Sequence, residues 1–191
     1  MARVLVTGQP GSGKTTLALR VVEILRERGE PLAGFTTSEI RRGGRRTGFT
    51  IAGIGGLERT LAVRGGDGPR VGSYGVDVTA FEEVALLELQ NGLELGHTLI
   101  VDEIGKMELL SERFRDLLPS ILEAPRVLAT IHAHRHPVTD AIRSRPDVHL
   151  VEVSGARRGA QARAIAGLVC DASGAHAGGR EGGAPNGAGV V

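Results

Sequence analysis

Val4-Leu5-Val6-Thr7-Gly8-Gln9-Pro10-Gly11-Ser12-Gly13-Lys14-Thr15 decides the reading of this chain. A short, wholly apolar, β-branched run ends at Thr7-Gly8, which predicts a buried parallel strand. The eight residues from Gly8 to Thr15 fit GxxxxGK[ST] in full. Thr15 to Arg28 then repeats apolar residues at helical spacing, with Gly29 at the C-cap position and Pro31 beyond. Strand, glycine loop and helix in that order build a cradle for a polyphosphate. Glycines let backbone N–H groups turn inward, where a Cβ would block the approach. The helix start adds unpaired N–H groups and the positive end of its dipole.

Each residue of the loop then takes a role. Lys14 is a mobile point charge for the β- and γ-phosphates, and the Thr15 hydroxyl is a ligand for Mg²⁺. Lys14 is one of only two lysines, against 21 arginines, and Arg would be too broad for such a loop. The candidate nucleotide-binding set is Gly8, Gln9, Pro10, Gly11, Ser12, Gly13, Lys14, Thr15 and Thr16.

A second strand, His97 to Asp102, ends in Asp102-Glu103. Asp102 fits the acid that holds the metal, and Glu103 one that polarises or deprotonates an attacking water. An adjacent Asp-Glu pair points to the P-loop branch with a catalytic glutamate. That branch has an extra strand between the loop strand and the acidic strand. Val127 to Ile131 is the candidate, with Thr130 as the polar residue that senses the γ-phosphate. The candidate catalytic residues are therefore Lys14, Glu103 and Thr130, and the metal ligands Thr15 and Asp102.

The rest of the chain supports an α/β class. Ala33–Ile40 and Thr47–Ile54 alternate around Arg41-Arg42-Gly43-Gly44-Arg45-Arg46, a β-hairpin with basic shoulders. Thr60–Val63 is a third short strand, and Val71–Val78 reads as extended. Thr79 with Glu82 reads as a capping box for a helix to about Leu89. Helices are also predicted over 111–123, 138–143 and 160–169, and a fourth buried strand over 148–153. Buried strands alternating with helices predict a three-layer α/β/α sandwich on a mostly parallel sheet, with the hairpin added after the first helix. Residues 1–170 read as one domain. From Asp171 onward, 12 of 21 residues are Gly or Ala, which reads as a flexible tail over 171–191.

Composition excludes several classes. The 191 residues are 41% hydrophobic and 24% charged, with a net charge of +1, which argues against a general grip on nucleic acid or an anionic membrane. One cysteine excludes an internal disulfide, and no apolar run reaches the roughly 18 residues of a membrane span. No signal peptide is visible, so a cytoplasmic monomer is expected.

Three blocks besides the loop resemble the small cancer-related nucleoside-triphosphatase family: Gly34–Phe49, Val71–Val78 and Asp102–Leu109. The likeness spans about residues 3–155. It implies a three-layer α/β sandwich and Mg²⁺-dependent hydrolysis of ATP, GTP, CTP and UTP with little base selectivity. Lys106 falls on the family's lysine, which implies contact with phosphates or a tie to Glu108. After the last core strand the family carries an acid-Asn-Arg triplet. Here the stretch is Ala156-Arg157-Arg158, so Arg158 alone is kept.

Other features have two or three readings each. Arg41, Arg42, Arg45 and Arg46 fit a transition-state cation, a nucleic-acid contact or a solvated hairpin tip. His132, His134 and His136 fit a metal site or an exposed His-rich loop. Phe35 and Tyr74 fit base stacking or core packing. Glu39 fits the base of a P-loop kinase, the main rival to a hydrolase; a nucleotide-gated switch acting through the Arg hairpin is the other.

Overall fold

The computed structural model describes residues 1–171. Of the expected tail, 172–191 lie outside the described residues, while Asp171 closes the last helix. Among the described residues nine strands form one sheet: β1 (Ala2–Gly8), β2 (Leu32–Arg42), β3 (Arg45–Gly53), β4 (Glu58–Arg64), β5 (Arg70–Val71), β6 (Tyr74–Val76), β7 (Thr98–Ile104), β8 (Arg126–His132) and β9 (Val148–Glu152). Five α-helices among the described residues accompany them: α1 (Lys14–Glu27), α2 (Val78–Leu95), α3 (Glu112–Glu123), α4 (Pro137–Arg143) and α5 (Arg158–Asp171).

The strand order is β5-β6-β4-β3-β2-β7-β8-β1-β9. The five strands from β2 to β9 in that order are mutually parallel. As expected, β8 lies between the loop strand β1 and the acidic strand β7. The hairpin β2–β3 extends the same sheet, and β4, β6 and β5 continue it antiparallel. Alternation along each central strand fills two cores. Val4 and Val6 face α1 and α5, where Leu17, Val21, Ala162 and Ile165 pack. Leu5 faces the other way, toward Phe81 and Leu89 of α2 and Phe114 and Ile121 of α3. Two apolar layers around one sheet are the expected sandwich.

Phe35 settles into packing rather than base stacking. It is fully buried, edge-on to Phe81 at 5.4 Å and to Phe114 at 6.1 Å. Burying each such ring stabilises the fold by about 2–3 kcal/mol. Tyr74 is also buried, against Phe49 at 5.2 Å.

Several boundaries differ from expectation. Residues 71–78 are not one extended run: β5 and β6 form a tight hairpin, and Val78 already begins α2. The cap of α2 is Asp77, whose carboxylate accepts from the Ala80 N–H at 2.9 Å, so Thr79 lies inside the helix. Asp is the better cap of the two. Glu82 accepts instead from the Ser111 hydroxyl at 2.7 Å. The helix runs past Leu89 to Leu95, because Gly92 lets it lie close on Ala33 and Leu99; a Cβ there would come within 2.6 Å of Ala33. β9 is an edge strand with Leu150 exposed, not a fourth buried strand. Period and length alone do not separate an edge strand from a central one.

Candidate active site

The parallel strands end along one rim, and that rim collects the loop, the two acids and the end of β8. This is where open parallel sheets take their ligands. Between β1 and α1 the loop turns on Gly11 (φ 76°) and Gly13 (φ 94°), both in the left-handed region. Gly13 is the N-cap residue of α1, and no side chain caps the first turn, which also lacks acids. The first-turn amides are therefore free to face an anion.

Lys14 is buried, and its Nζ donates to the Gly8 carbonyl at 3.4 Å and lies 3.8 Å from Glu103 Oε2. At the next residue, the Thr15 hydroxyl donates to Asp102 Oδ1 at 3.1 Å. With its proton committed there, Thr15 keeps lone pairs for a cation. Asp102 is fully buried. It also accepts from the Thr130 hydroxyl at 2.6 Å and from the Thr37 N–H at 3.4 Å. Burial pushes its carboxyl above the usual range, against the pull of these three hydrogen bonds and the Lys14 charge. The Asp102–Glu103 peptide is cis.

Glu103 reaches toward the loop. Burial raises its proton affinity and the Lys14 charge lowers it, while the Asp102 carboxylate adds to the rise. A cavity of about 520 Å³ opens between these groups, lined by the loop, Thr37, Glu39, Glu103 and His132. Loop residues Pro10, Gly11, Gly13, Lys14, Thr15 and Thr16 all border it.

Not every expected residue enters that cavity. Gly8, Gln9 and Ser12 belong to the loop but do not border it. Thr130 is fully buried and hands its hydroxyl to Asp102 instead of facing the phosphate space. Lys106 is exposed and borders an adjoining cavity of about 320 Å³ with Glu103, Glu108 and His134. The tie from Lys106 to Glu108 is not made: no ion pair joins them among the described residues. Glu108 is buried beside backbone amides of Gly105 and its own residue, and burial lifts its carboxyl to about 8.

Four features escaped the sequence reading. The Thr37 amide on Asp102 and Phe49 on the cavity wall carry no motif. The Arg158 guanidinium lies against Gly13, where a Cβ would come within 3.0 Å. His132 is buried rather than part of an exposed loop. A signal for it existed: it follows Thr130 by two on one strand and stands in register with Gly8. Among the described residues no cluster of His, Cys, Asp and Glu could hold a metal by itself, so the three histidines do not form one.

Of the hairpin arginines, two turn to the site. Arg41 and Arg46 both pair with Glu39, at 2.6 and 2.8 Å, and both border the cavity. Arg46 also donates to the Tyr74 hydroxyl at 3.1 Å and lies over the Phe49 ring at 5.1 Å. Arg42 and Arg45 are exposed at the tip. No helix is long and apolar enough to cross a membrane among the described residues.

Comparison with known proteins agrees with this geometry. The NTPase family model matches residues 3–166. The nucleoside-triphosphatase THEP1 of Thermotoga maritima is 39% identical over 158 residues, covering 82% of this chain and 88% of the relative. The human cancer-related nucleoside-triphosphatase is 39% identical over 174 residues, covering 83% and 92%. The crystal structure of THEP1 from Aquifex aeolicus superposes with a TM-score of 0.77 at 36% identity, covering 88% of this chain and 99% of that one. The solution structure of the human protein gives 0.76 at 36% identity, covering 90% and 98%. The loop, the paired acids and the interposed strand thus sit in a fold shared along nearly its whole length, and the chain belongs to the NTPase family.

Proposed function

We propose that this protein hydrolyses nucleoside triphosphates to diphosphate and phosphate by attack of water on the γ-phosphate. The observation that carries it is the Glu103 carboxylate beside Lys14 at 3.8 Å, on the wall of the cavity that the glycine loop borders. Relatives named as nucleoside-triphosphatases support the reading.

The loop amides and Lys14 bind and orient the phosphate chain, and their fixed positive charge meets the charge that develops on it. Glu103 orients the water and accepts its proton at Oε. Partial burial makes that carboxylate a stronger base than one in water. Thr15 and Asp102 suit Mg²⁺: a hydroxyl with free lone pairs beside a buried carboxylate is a hard-oxygen donor set. Bound there, Mg²⁺ would neutralise charge on the β- and γ-phosphates. Thr130 and the Thr37 amide hold Asp102 in place for it.

Glu39 is the residue a kinase would use as base. Its carboxylate is engaged by two guanidiniums, which hold its proton affinity below the usual range despite partial burial. A base so weakened disfavours phosphate transfer to a hydroxyl acceptor and leaves water as the nucleophile.

Phosphate release from ATP, GTP, CTP and UTP, with and without Mg²⁺ and with a panel of small alcohol acceptors, tests the proposal. Comparable Mg²⁺-dependent release from all four without an acceptor is the expected result. A phosphorylated acceptor, or no release in its absence, would favour the kinase.

A further inference from the structure

We propose that His132 is a catalytic residue that donates an imidazole hydrogen bond to the terminal phosphate, the task that sequence reasoning gave to Thr130. The inference rests on the hydrolase reading above and deepens it.

Three observations converge on this side chain. Its neighbour on the same strand face, Thr130, has its hydroxyl bound to Asp102 at 2.6 Å and borders neither cavity, so Thr130 is a positioning residue for that acid. His132 comes two residues later, at the very end of β8 and in register with Gly8, the first residue of the loop. Strand alternation therefore carries the Thr130 side of the strand out to the rim at His132.

The second observation is an unfilled hydrogen-bonding demand. His132 is 93% buried, yet both Nδ1 and Nε2 lack any partner among the described residues. A buried polar atom without a partner costs free energy, and one that persists asks for a reason. Here the reason is a ligand: His132 is one of the residues that border both the loop cavity and the adjoining one, and it shares the first with Lys14 and Glu103. An anionic oxygen lodged between Lys14 and Glu103 would find in that ring a donor that nothing else among the described residues uses.

The third is the charge state. Burial pushes the imidazole toward its neutral form, and Arg143, His134, His136 and Lys106 act in the same direction. Glu103 and Glu108 face it across the adjoining cavity. A neutral ring has one N–H to give and no charge to neutralise Glu103, so it can recognise the phosphate without quenching the base beside it. His134 and His136 stand 5.9 and 6.4 Å away, ring to ring, and the latter caps α4 through Nδ1. They confine the imidazole without bonding to it.

The test uses the full-length protein with ¹⁵N-labelled histidine. The His132 ring signals, assigned by their loss in His132→Gln, are followed on adding Mg²⁺ with ADP or with the β,γ-imido analogue of ATP. The ring N–H should shift with the triphosphate analogue and stay in place with ADP. In parallel, His132→Ala should lower single-turnover phosphate release about 100-fold while ADP affinity changes less than threefold, and His132→Gln, which keeps an N–H donor, should recover at least tenfold of that loss. An equal response to both nucleotides, or release from His132→Ala within threefold of wild type, overturns the inference alone. Failure of both nucleotides to bind overturns it together with the hydrolase reading. The spectra of the unmutated protein decide the matter even if the alanine variant does not fold.

Discussion

Replacing Glu103 by Gln isolates the proton-accepting step, because the amide keeps the shape of the carboxylate and loses only its charge and basicity. The magnitude follows from the surroundings. A positioned base contributes about 10²–10⁴-fold. Glu103 is three-quarters buried, and burial outweighs the Lys14 charge in setting its proton affinity, so it belongs in the middle of that range or above. A loss of about 10³-fold in kcat is expected, or about 4 kcal/mol of transition-state stabilisation. Binding should move the other way. The substitution removes a negative charge 3.8 Å from Lys14, within the cavity that would hold the phosphates, so nucleotide affinity should hold or tighten up to about tenfold. Stability should change by less than about 1 kcal/mol, since the lost ion pair is offset by relief of desolvation and of repulsion from Asp102. Single-turnover phosphate release and calorimetric titration with Mg²⁺ and ATP measure both quantities on the same preparation. Release within threefold of wild type, or parallel loss of binding and turnover, would refute the assignment of Glu103 as base.

Three further outcomes are expected. Asp102→Asn must present an N–H to one of its donors, Thr15, Thr130 or the Thr37 amide, so Mg²⁺ affinity measured by titration with ADP should fall at least about 100-fold. Gly34→Ala would drive a Cβ into the Ile100 carbonyl from a backbone at φ 115°, and urea denaturation should show a loss of about 2 kcal/mol or more. Glu108 has a folded pKa of about 8 against 4.5 in the unfolded chain, so the folded state holds the extra proton between those values and stability falls as pH rises from 4.5 to 8. Glu108→Gln should remove that decline and gain on the order of a few kcal/mol over wild type by pH 8, read from urea midpoints across pH 5–8.

The central architecture was legible because its causes are local. Val4-Leu5-Val6 and Thr98–Val101 are apolar on both faces, as strands covered by helices must be. The glycine loop has few other uses at that spacing, and the paired acids at a strand end imply the order of three strands that the sheet shows. What failed depends on the partner across space. Asp77 and Thr79 are both acceptable caps in isolation, and only the path of the β5–β6 hairpin into α2 decides between them. The exposure of β9 reflects its place at the sheet edge, which no periodicity encodes. Lys106 and Glu108 stand two apart on a tight turn, and burial of the acid sends its carboxylate to backbone amides instead.

The different surroundings of the two polar residues at the end of β8 have a more specific cause. Polarity and spacing alone do not separate Thr130 from His132, two residues apart on one face of one strand, although the sequence reading gives the phosphate-sensing place to Thr130 and leaves His132 to a metal site or an exposed loop. Three elements break the equivalence. β7 brings Asp102 up to the level of Thr130, so that hydroxyl is consumed one layer below the rim. β1 ends at Gly8 beside His132, so the histidine alone reaches the level at which the loop begins. The segment that follows then folds His134 and His136 back around the ring and hides it from solvent. The difference follows from depth: the inner hydroxyl is bound to a buried acid, and the outer ring has no hydrogen-bond partner at the level where the loop begins. A strand that carries two polar residues on one face at its carboxyl end should therefore be read for which of them a neighbouring acid has already claimed.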